Sequence, residues 1–143
     1  LKHIDALLRH VWLECCGHMS AFRVGRRTLA MSAAPSVAFA PAGTKVDYEY
    51  DFGSTTALTG ELMGERHSSI GARPVRLLAR NKPLVWSYSE CTAPATTICP
   101  NCIDGGGSDL FCDAHAATHE HAGEEIYLPV VNSPRMGVCG YTG

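Results

Sequence analysis

Leu1, Ile4, Leu7, Leu8, Val11 and Trp12 recur at i, i+3, i+4 and i+7 spacing, one apolar face of a helix, with Lys2, Asp5 and Arg9 turned outward. The pattern predicts a core-packing helix that stops near Cys15-Cys16-Gly17, where glycine supplies a left-handed end. Residues 20–43 are rich in Ala, Ser, Pro and Gly, and short extended pieces are expected around Phe22-Arg23-Val24 and Val37-Ala38-Phe39. Over residues 45–52 the period changes to two. Val46, Tyr48, Tyr50 and Phe52 alternate with Lys45, Asp47, Glu49 and Asp51, as in a strand with one apolar and one charged face. Gly53-Ser54 signals a turn, after which the Thr-rich stretch to Met63 returns as an antiparallel partner. Residues 74–80 alternate similarly, and residues 126–131 read as a further short strand. Helix first and a mostly antiparallel sheet after it is an α+β pattern.

Composition places the chain among ordinary globular domains. Its 143 residues are 45% hydrophobic and 18% charged, enough apolar material for one core or a core with a small satellite. No run of eighteen apolar residues appears, so no membrane span is expected. The start, Leu1-Lys2-His3-Ile4-Asp5, has neither an initiator Met nor a signal-peptide pattern and reads as a helix entered midway, the expectation for a fragment or processed product. The net charge of -2 hides an asymmetry. Residues 1–82 carry eleven Lys or Arg against seven Asp or Glu, whereas residues 83–143 carry Arg135 alone against seven acids. A polyanion would therefore meet the first half and avoid the second. Seven cysteines, an odd number without a secretory signal, argue against a disulfide framework and for a reducing, cytoplasmic setting.

The cysteine spacing points to metal. Cys91 is followed by Cys99-Pro100-Asn101-Cys102, then Cys112-Asp113-Ala114-His115, then His119 and His121. Two-residue spacers let paired ligands curl around one ion from a tight turn, and thiolate with imidazole suits tetrahedral zinc. Gly105-Gly106-Gly107 forms a connector between ligand groups. Seven candidate ligands exceed the need of one site, so one or two zinc ions are expected. By analogy with cross-braced zinc folds, alternate groups share a metal. That gives a complete site of Cys99, Cys102, His119 and His121, and a second of Cys91, Cys112 and His115. Three residues before Cys91 stands Tyr88, a poor zinc ligand, so the second site is filled by water, by another side chain or not at all. A single zinc held by Cys99, Cys102, Cys112 and His115 is the other arrangement left open. The expected organisation is an α+β core at 1–87, a zinc-binding module at 88–125, and a strand with a turn-rich tail at 126–143 returning to the core.

A structural ion is favoured over a catalytic one, because so small a module lacks the core to fold without metal. A deaminase-type site is excluded: His119-Glu120-His121 follows the cysteine pair, and the proline lies inside it. Glu90, Asp104, Asp109, Asp113, Glu120, Glu124 and Glu125 surround the ligands, with no Lys or Arg between Lys82 and Arg135. A finger that grips phosphates needs cations, so this module is expected to face protein.

Other candidates carry plainer expectations. Cys15 and Cys16 read as buried thiols; a nucleophile served by His18 lacks an orienting carboxylate nearby in sequence. Cys139 is a candidate for a missing ligand, though burial in a turn is the default. Asp47, Glu49 and Asp51 read as a solvated strand face. Arg23, Arg26, Arg27, Arg73, Arg76 and Arg80 could form a basic patch, with scattered surface arginines as the plainer expectation. No Gly-rich phosphate loop, dinucleotide fingerprint or nucleophile elbow is present.

Four stretches carry a resemblance: Trp12-Leu13-Glu14-Cys15-Cys16-Gly17-His18-Met19-Ser20-Ala21-Phe22, Tyr48-Glu49-Tyr50-Asp51-Phe52-Gly53, Pro74-Val75-Arg76-Leu77-Leu78-Ala79-Arg80-Asn81 and Leu128-Pro129-Val130-Val131-Asn132-Ser133-Pro134-Arg135. The chain resembles the plasmid open-reading-frame-three-like family, whose members are also labelled insertion-element passenger proteins with a resolvase-derived name. The resemblance implies an α+β fold and no established activity, and no recombinase Ser motif supports the resolvase label. Relatives of this type often carry a second Cys at the position of Tyr88 and a Cys at that of His121. The zinc segment is similar in spacing to B-box-like cross-braces. The expected function is a non-enzymatic binding or scaffolding protein linked to mobile elements. The alternatives are a zinc-dependent hydrolase using the open three-ligand site and a nucleic-acid binder acting through the Arg-bearing half.

Overall fold

The computed structural model describes residues 1–66, 69, 71, 74–105, 109–123 and 127–143, without the side chain of Asp104. Arg73, Gly106, Gly107, Glu124 and Glu125, named above, lie outside the described residues, as do the first residue of the strand expected at 126–131 and the side chain of Asp104. The chain is α+β and divides into two compact units, Leu1–Arg80 and Asn81–Gly143. The division falls after Arg80 rather than after residue 87.

In the first unit, α1 (Lys2–Leu8) passes into one wide helical turn, Arg9–Leu13, closed by the Glu14 amide donating to the Arg9 carbonyl at 3.0 Å. Donor and acceptor are five positions apart, the spacing of a π-turn, which re-aims the chain into the next loop. Then come β1 (Ser20–Val24), β2 (Arg27–Leu29), the short α2 (Pro35–Ala38), β3 (Lys45–Tyr50) and β4 (Thr56–Glu61). The four strands form one antiparallel sheet in the order β2-β1-β3-β4. Phe22 and Tyr48 are direct register partners, with ring centroids 4.7 Å apart. They join Leu1, Leu13, Leu29, Ala38, Val46 and Tyr50 in the core, and Ile4, Leu8 and Trp12 of the helical segment pack against it. The alternation of β3 thus places Val46, Tyr48 and Tyr50 inward.

Four local expectations change. Residues 37–39 are not extended, because Pro35 at the first helical position starts α2 there. Phe52 does not continue the apolar face: Asp51 takes a positive φ of 62° and turns the chain out of the sheet, leaving Phe52 half exposed. Residues 74–80 form no strand among the described residues, and Leu77 and Leu78 are exposed. Asp5 does not face solvent but accepts hydrogen bonds from the Tyr48 hydroxyl (2.7 Å), the Ser20 hydroxyl (2.6 Å) and Arg9 (3.0 Å). A polar helical position that reaches three donors is stabilised inside.

The second unit is built from very short elements: β5 (Thr97–Ile98), α3 (Pro100–Gly105), β6 (Leu110–Phe111), α4 (Asp113–Ala116) and β7 (Leu128–Pro129). Its three strands pair antiparallel in the order β6-β5-β7. The closing segment therefore adds its strand to the sheet of this unit. Asn81 and Asn132 tie its beginning to its end: Asn81 Nδ2 donates to Asn132 Oδ1 at 3.0 Å, and Asn132 Nδ2 to the Asn81 carbonyl at 3.3 Å. Arg135, the basic residue of the tail, is fully buried.

Candidate metal centre

One local device occurs twice in the second unit. Strand β5 runs into Cys99, and the proline that follows starts α3, so Cys102 sits in the first turn. Strand β6 runs into Cys112, which caps α4 and places His115 in its first turn. Residues three apart across a helical turn share a side, so each pair aims two donors at one point. Because β5 and β6 pair side by side, with Thr97 opposite Phe111, the two turns are neighbours.

The donors gather in two groups. In the first, Cys99 Sγ lies 3.4 Å from His121 Nδ1, and Cys102 Sγ lies 3.2 Å from His119 Nε2 and 3.7 Å from His121 Nδ1. The two imidazole nitrogens are 3.1 Å apart. In the second, Cys91 Sγ lies 3.7 Å from Cys112 Sγ and 3.8 Å from His115 Nδ1, with Cys112 Sγ and His115 Nδ1 at 3.0 Å. Both groups are positioned to hold a metal ion. The alternate groups of the sequence meet, and the arrangement that joined Cys99 and Cys102 to Cys112 and His115 is not formed. No disulfide joins any of the seven cysteines.

Three of the seven donors are buried, and the other four are partly exposed. Cys99, Cys102 and Cys112 are buried with Tyr88, Phe111 and Ala116, so the thiols themselves are core residues. Phe111 packs on His119 at 4.3 Å and on Tyr88 at 5.2 Å, and Tyr88 packs on His115 at 4.7 Å. The aromatic chain joins one donor group to the other, and Tyr88 contributes a ring where a fourth ligand was expected. The electrostatics differ between the groups. The hydrogen bond from His115 pulls the Cys112 thiol down to about 7, whereas desolvation and the adjoining Cys99 thiol push Cys102 up. The three-donor group holds the readier thiolate.

The remaining candidates fall elsewhere. Cys15 is half-buried and Cys16 exposed, so neither is the buried thiol expected, and the exposed Cys139 is not buried in its turn. Asp47 and Glu49 make surface contacts with Thr59 and Arg23, but Asp51 leaves the charged face and is buried. Its carboxylate stands 3.4 Å from His18 Nδ1, the orienting group that sequence reading did not find. Thirty-odd residues of sequence separate the two, and the pairing of β1 with β3, Ser20 opposite Tyr50, sets them side by side. Of the arginines, Arg23 pairs with Glu49 and Arg80 lies over the Trp12 ring at 5.7 Å. An apolar hollow of about 430 Å³ in the first unit is lined by Ile4, Pro35, Ser36, Phe39, Glu61, Leu62 and Glu65, without a thiol or imidazole. Among the described residues, no helix is long and apolar enough to cross a membrane.

Comparison of the chain with family models, with curated proteins and with solved structures returned no match.

Proposed function

We propose that the chain is a zinc-binding protein without catalytic activity of its own, whose second unit is stapled by two zinc ions and serves binding or scaffolding. One observation carries the reading. Tetrahedral zinc with Zn–S near 2.3 Å and Zn–N near 2.0–2.1 Å separates its ligand atoms by about 3.3 to 3.8 Å. Seven donor separations across the two groups run from 3.0 to 3.8 Å, and all ligand atoms of each group lie within 4.8 Å of one another. Hydrogen bonding alone would not draw three or four donors to mutual contact in each of two places.

A structural role follows from the surroundings. The unit has two-residue strands and helices of one or two turns, too little regular structure to fold on hydrogen bonds and apolar burial alone. The three-donor group would be the place for hydrolytic chemistry, since an open position lets zinc activate water. Tyr88, buried against His115, favours a closed site instead. Glu90, Asp113 and Glu120 are exposed around the donors, and the arginine of the tail is buried, so the surface suits a protein partner better than phosphates. A reducing, cytoplasmic setting belongs to the same proposal, since thiols hold zinc only while they stay unoxidised. The resemblance to the plasmid open-reading-frame-three-like family adds a link to mobile elements to the proposal.

The test is metal content. Purified under reducing conditions, the full chain is expected to retain zinc at both groups, and Cys99→Ser with Cys102→Ser to hold one ion fewer. A metal-free chain whose second unit keeps its amide protection would overturn the structural reading. Zinc-dependent hydrolysis abolished by Cys91→Ser would establish the catalytic alternative.

A further inference from the structure

The first unit contains a third meeting of thiols and imidazole, built by different means. The loop 14–19 leaves the wide helical turn and enters β1. Glu14 holds it from inside, its Oε1 accepting from the Gly17 amide at 2.6 Å and from the Tyr50 hydroxyl at 3.2 Å. Arg9 holds it from the helix, donating to Glu14 Oε2 at 2.8 Å and to the His18 carbonyl at 2.7 Å. Gly17, with φ of 82°, permits the reversal that these bonds require. The outcome is that Cys16 Sγ lies 3.6 Å from Cys15 Sγ and 3.0 Å from His18 Nε2. The ligand atoms of Cys15, Cys16 and His18 all fall within 4.8 Å of one another.

The histidine is aimed. Its ring stands edge-on to Tyr50 with centroids 5.7 Å apart, and its Nδ1 faces the Asp51 carboxylate at 3.4 Å. That carboxylate is fixed in turn: its Oδ1 accepts the Gly53 amide at 3.0 Å, and the Asp51 amide donates to the Met19 carbonyl at 2.9 Å. A carboxylate on one imidazole nitrogen fixes the ring so that the other nitrogen is presented to a metal. Asp51 adopts an unfavourable left-handed backbone to do so, at φ 62°, which a short polar side chain tolerates best.

We propose that Cys15, Cys16 and His18 form a further metal site, taking a thiophilic divalent cation of the zinc class, with Asp51 as the positioning residue for His18. Water or a further side chain completes the coordination. The same geometry invites comparison with a cysteine nucleophile, since Cys16, His18 and Asp51 stand in the order thiol, imidazole, carboxylate. The second thiol decides between them. A nucleophile needs one sulfur, and a neighbour at 3.6 Å adds nothing to it, whereas that separation is close to the roughly 3.8 Å between two thiolates on tetrahedral zinc. Cys15, Cys16, His18 and Asp51 all belong to the first unit, and none is a donor of the two groups described above, so the two readings are tested separately.

The experiment uses the full chain under reducing conditions, loaded with Zn²⁺ or treated with a chelator, and pulsed with an alkylating reagent. Peptide mass spectrometry then reads the labelling of Cys15 and Cys16. Zinc is expected to slow both at least tenfold, and native mass spectrometry to count one ion fewer in Cys15→Ser with Cys16→Ser than in the parent chain. Asp51→Asn is expected to weaken Zn²⁺ retention at this site within the roughly 10- to 100-fold range of such orienting groups. Equal labelling with and without zinc would overturn the proposal, even if the double variant fails to fold. Fast labelling confined to Cys16, indifferent to zinc and abolished by His18→Gln, would overturn it in favour of a nucleophile. The Cys99→Ser with Cys102→Ser variant reports on the donors of the proposed function, so its ion loss is counted separately from the labelling of Cys15 and Cys16.

Discussion

The two units are held together by different materials. In Leu1–Arg80 a six-residue strand on each side of one turn, a helix and two shorter strands bury Leu13, Phe22, Val46, Tyr48 and Tyr50, and stability comes from apolar burial. In Asn81–Gly143 no strand exceeds two described residues, and half of the buried cluster is thiol: Cys99, Cys102 and Cys112 beside Tyr88, Phe111 and Ala116. A thiol is a small hydrophobe when protonated and a ligand when ionised. The second unit therefore gains its core and its staples from the same residues, and its cohesion depends on what the sulfurs bind.

The sharpest way to break the comparison is to remove the metal. With a chelator, amide exchange across residues 81–143 is expected to approach unfolded rates while the sheet of the first unit stays protected, since structural zinc contributes on the order of 10 kcal/mol. Equal loss in both units would show that the contrast is wrong. The reverse experiment is Phe22→Ala. Truncating a buried phenylalanine costs about 3–5 kcal/mol, so urea should unfold the first unit at lower concentration while the ions of the second unit are retained.

Smaller effects separate the polar contributions. Tyr48→Phe removes a buried hydrogen bond to the Asp5 carboxylate and is expected to cost about 1.5–3 kcal/mol of first-unit stability near neutral pH. The same hydroxyl predicts an alkaline effect. Burial, with Asp5 alongside, holds the Tyr48 ionisation far above its ordinary value of 10.0, and burial pushes Tyr50 up to about 12. A raised folded value favours the folded state fully below the unfolded one. That contribution is lost as pH rises from 10 through the folded values. Denaturation midpoints should thus fall above pH 10, less steeply in the Tyr48→Phe variant. An equal slope in both proteins would contradict the assignment. Least of all, Arg23→Gln breaks a partly exposed pair with Glu49 at 2.9 Å and should change stability by about 0–1 kcal/mol.

The same contrast governs what could be read in the sequence. Periodicity found β3, because a half-buried sheet prints alternation on the chain, and the turn signal at Gly53-Ser54 with the Thr-rich run gave its partner β4. It failed at residues 74–80, where the alternating Val75, Leu77 and Ala79 pair with nothing among the described residues, and at residues 37–39, where Pro35 overrides the extended reading. The donor groups of the second unit were legible through their two-residue spacers, which reflect a local turn. The cluster at Cys15, Cys16 and His18 was not. Its carboxylate comes from a distant strand end, and a left-handed Asp51 leaves no periodic mark. The inward bend of Asp5 is hidden for the same reason: its three donors come from Arg9, Ser20 and Tyr48, and two of these lie beyond the helix.

The most direct measurement is anomalous diffraction from crystals of the full chain at the zinc edge. Two peaks are expected in the second unit, one bounded by Cys99, Cys102, His119 and His121 and the other by Cys91, Cys112 and His115. No peak at either position, with the thiols paired as disulfides or turned apart, would contradict the account.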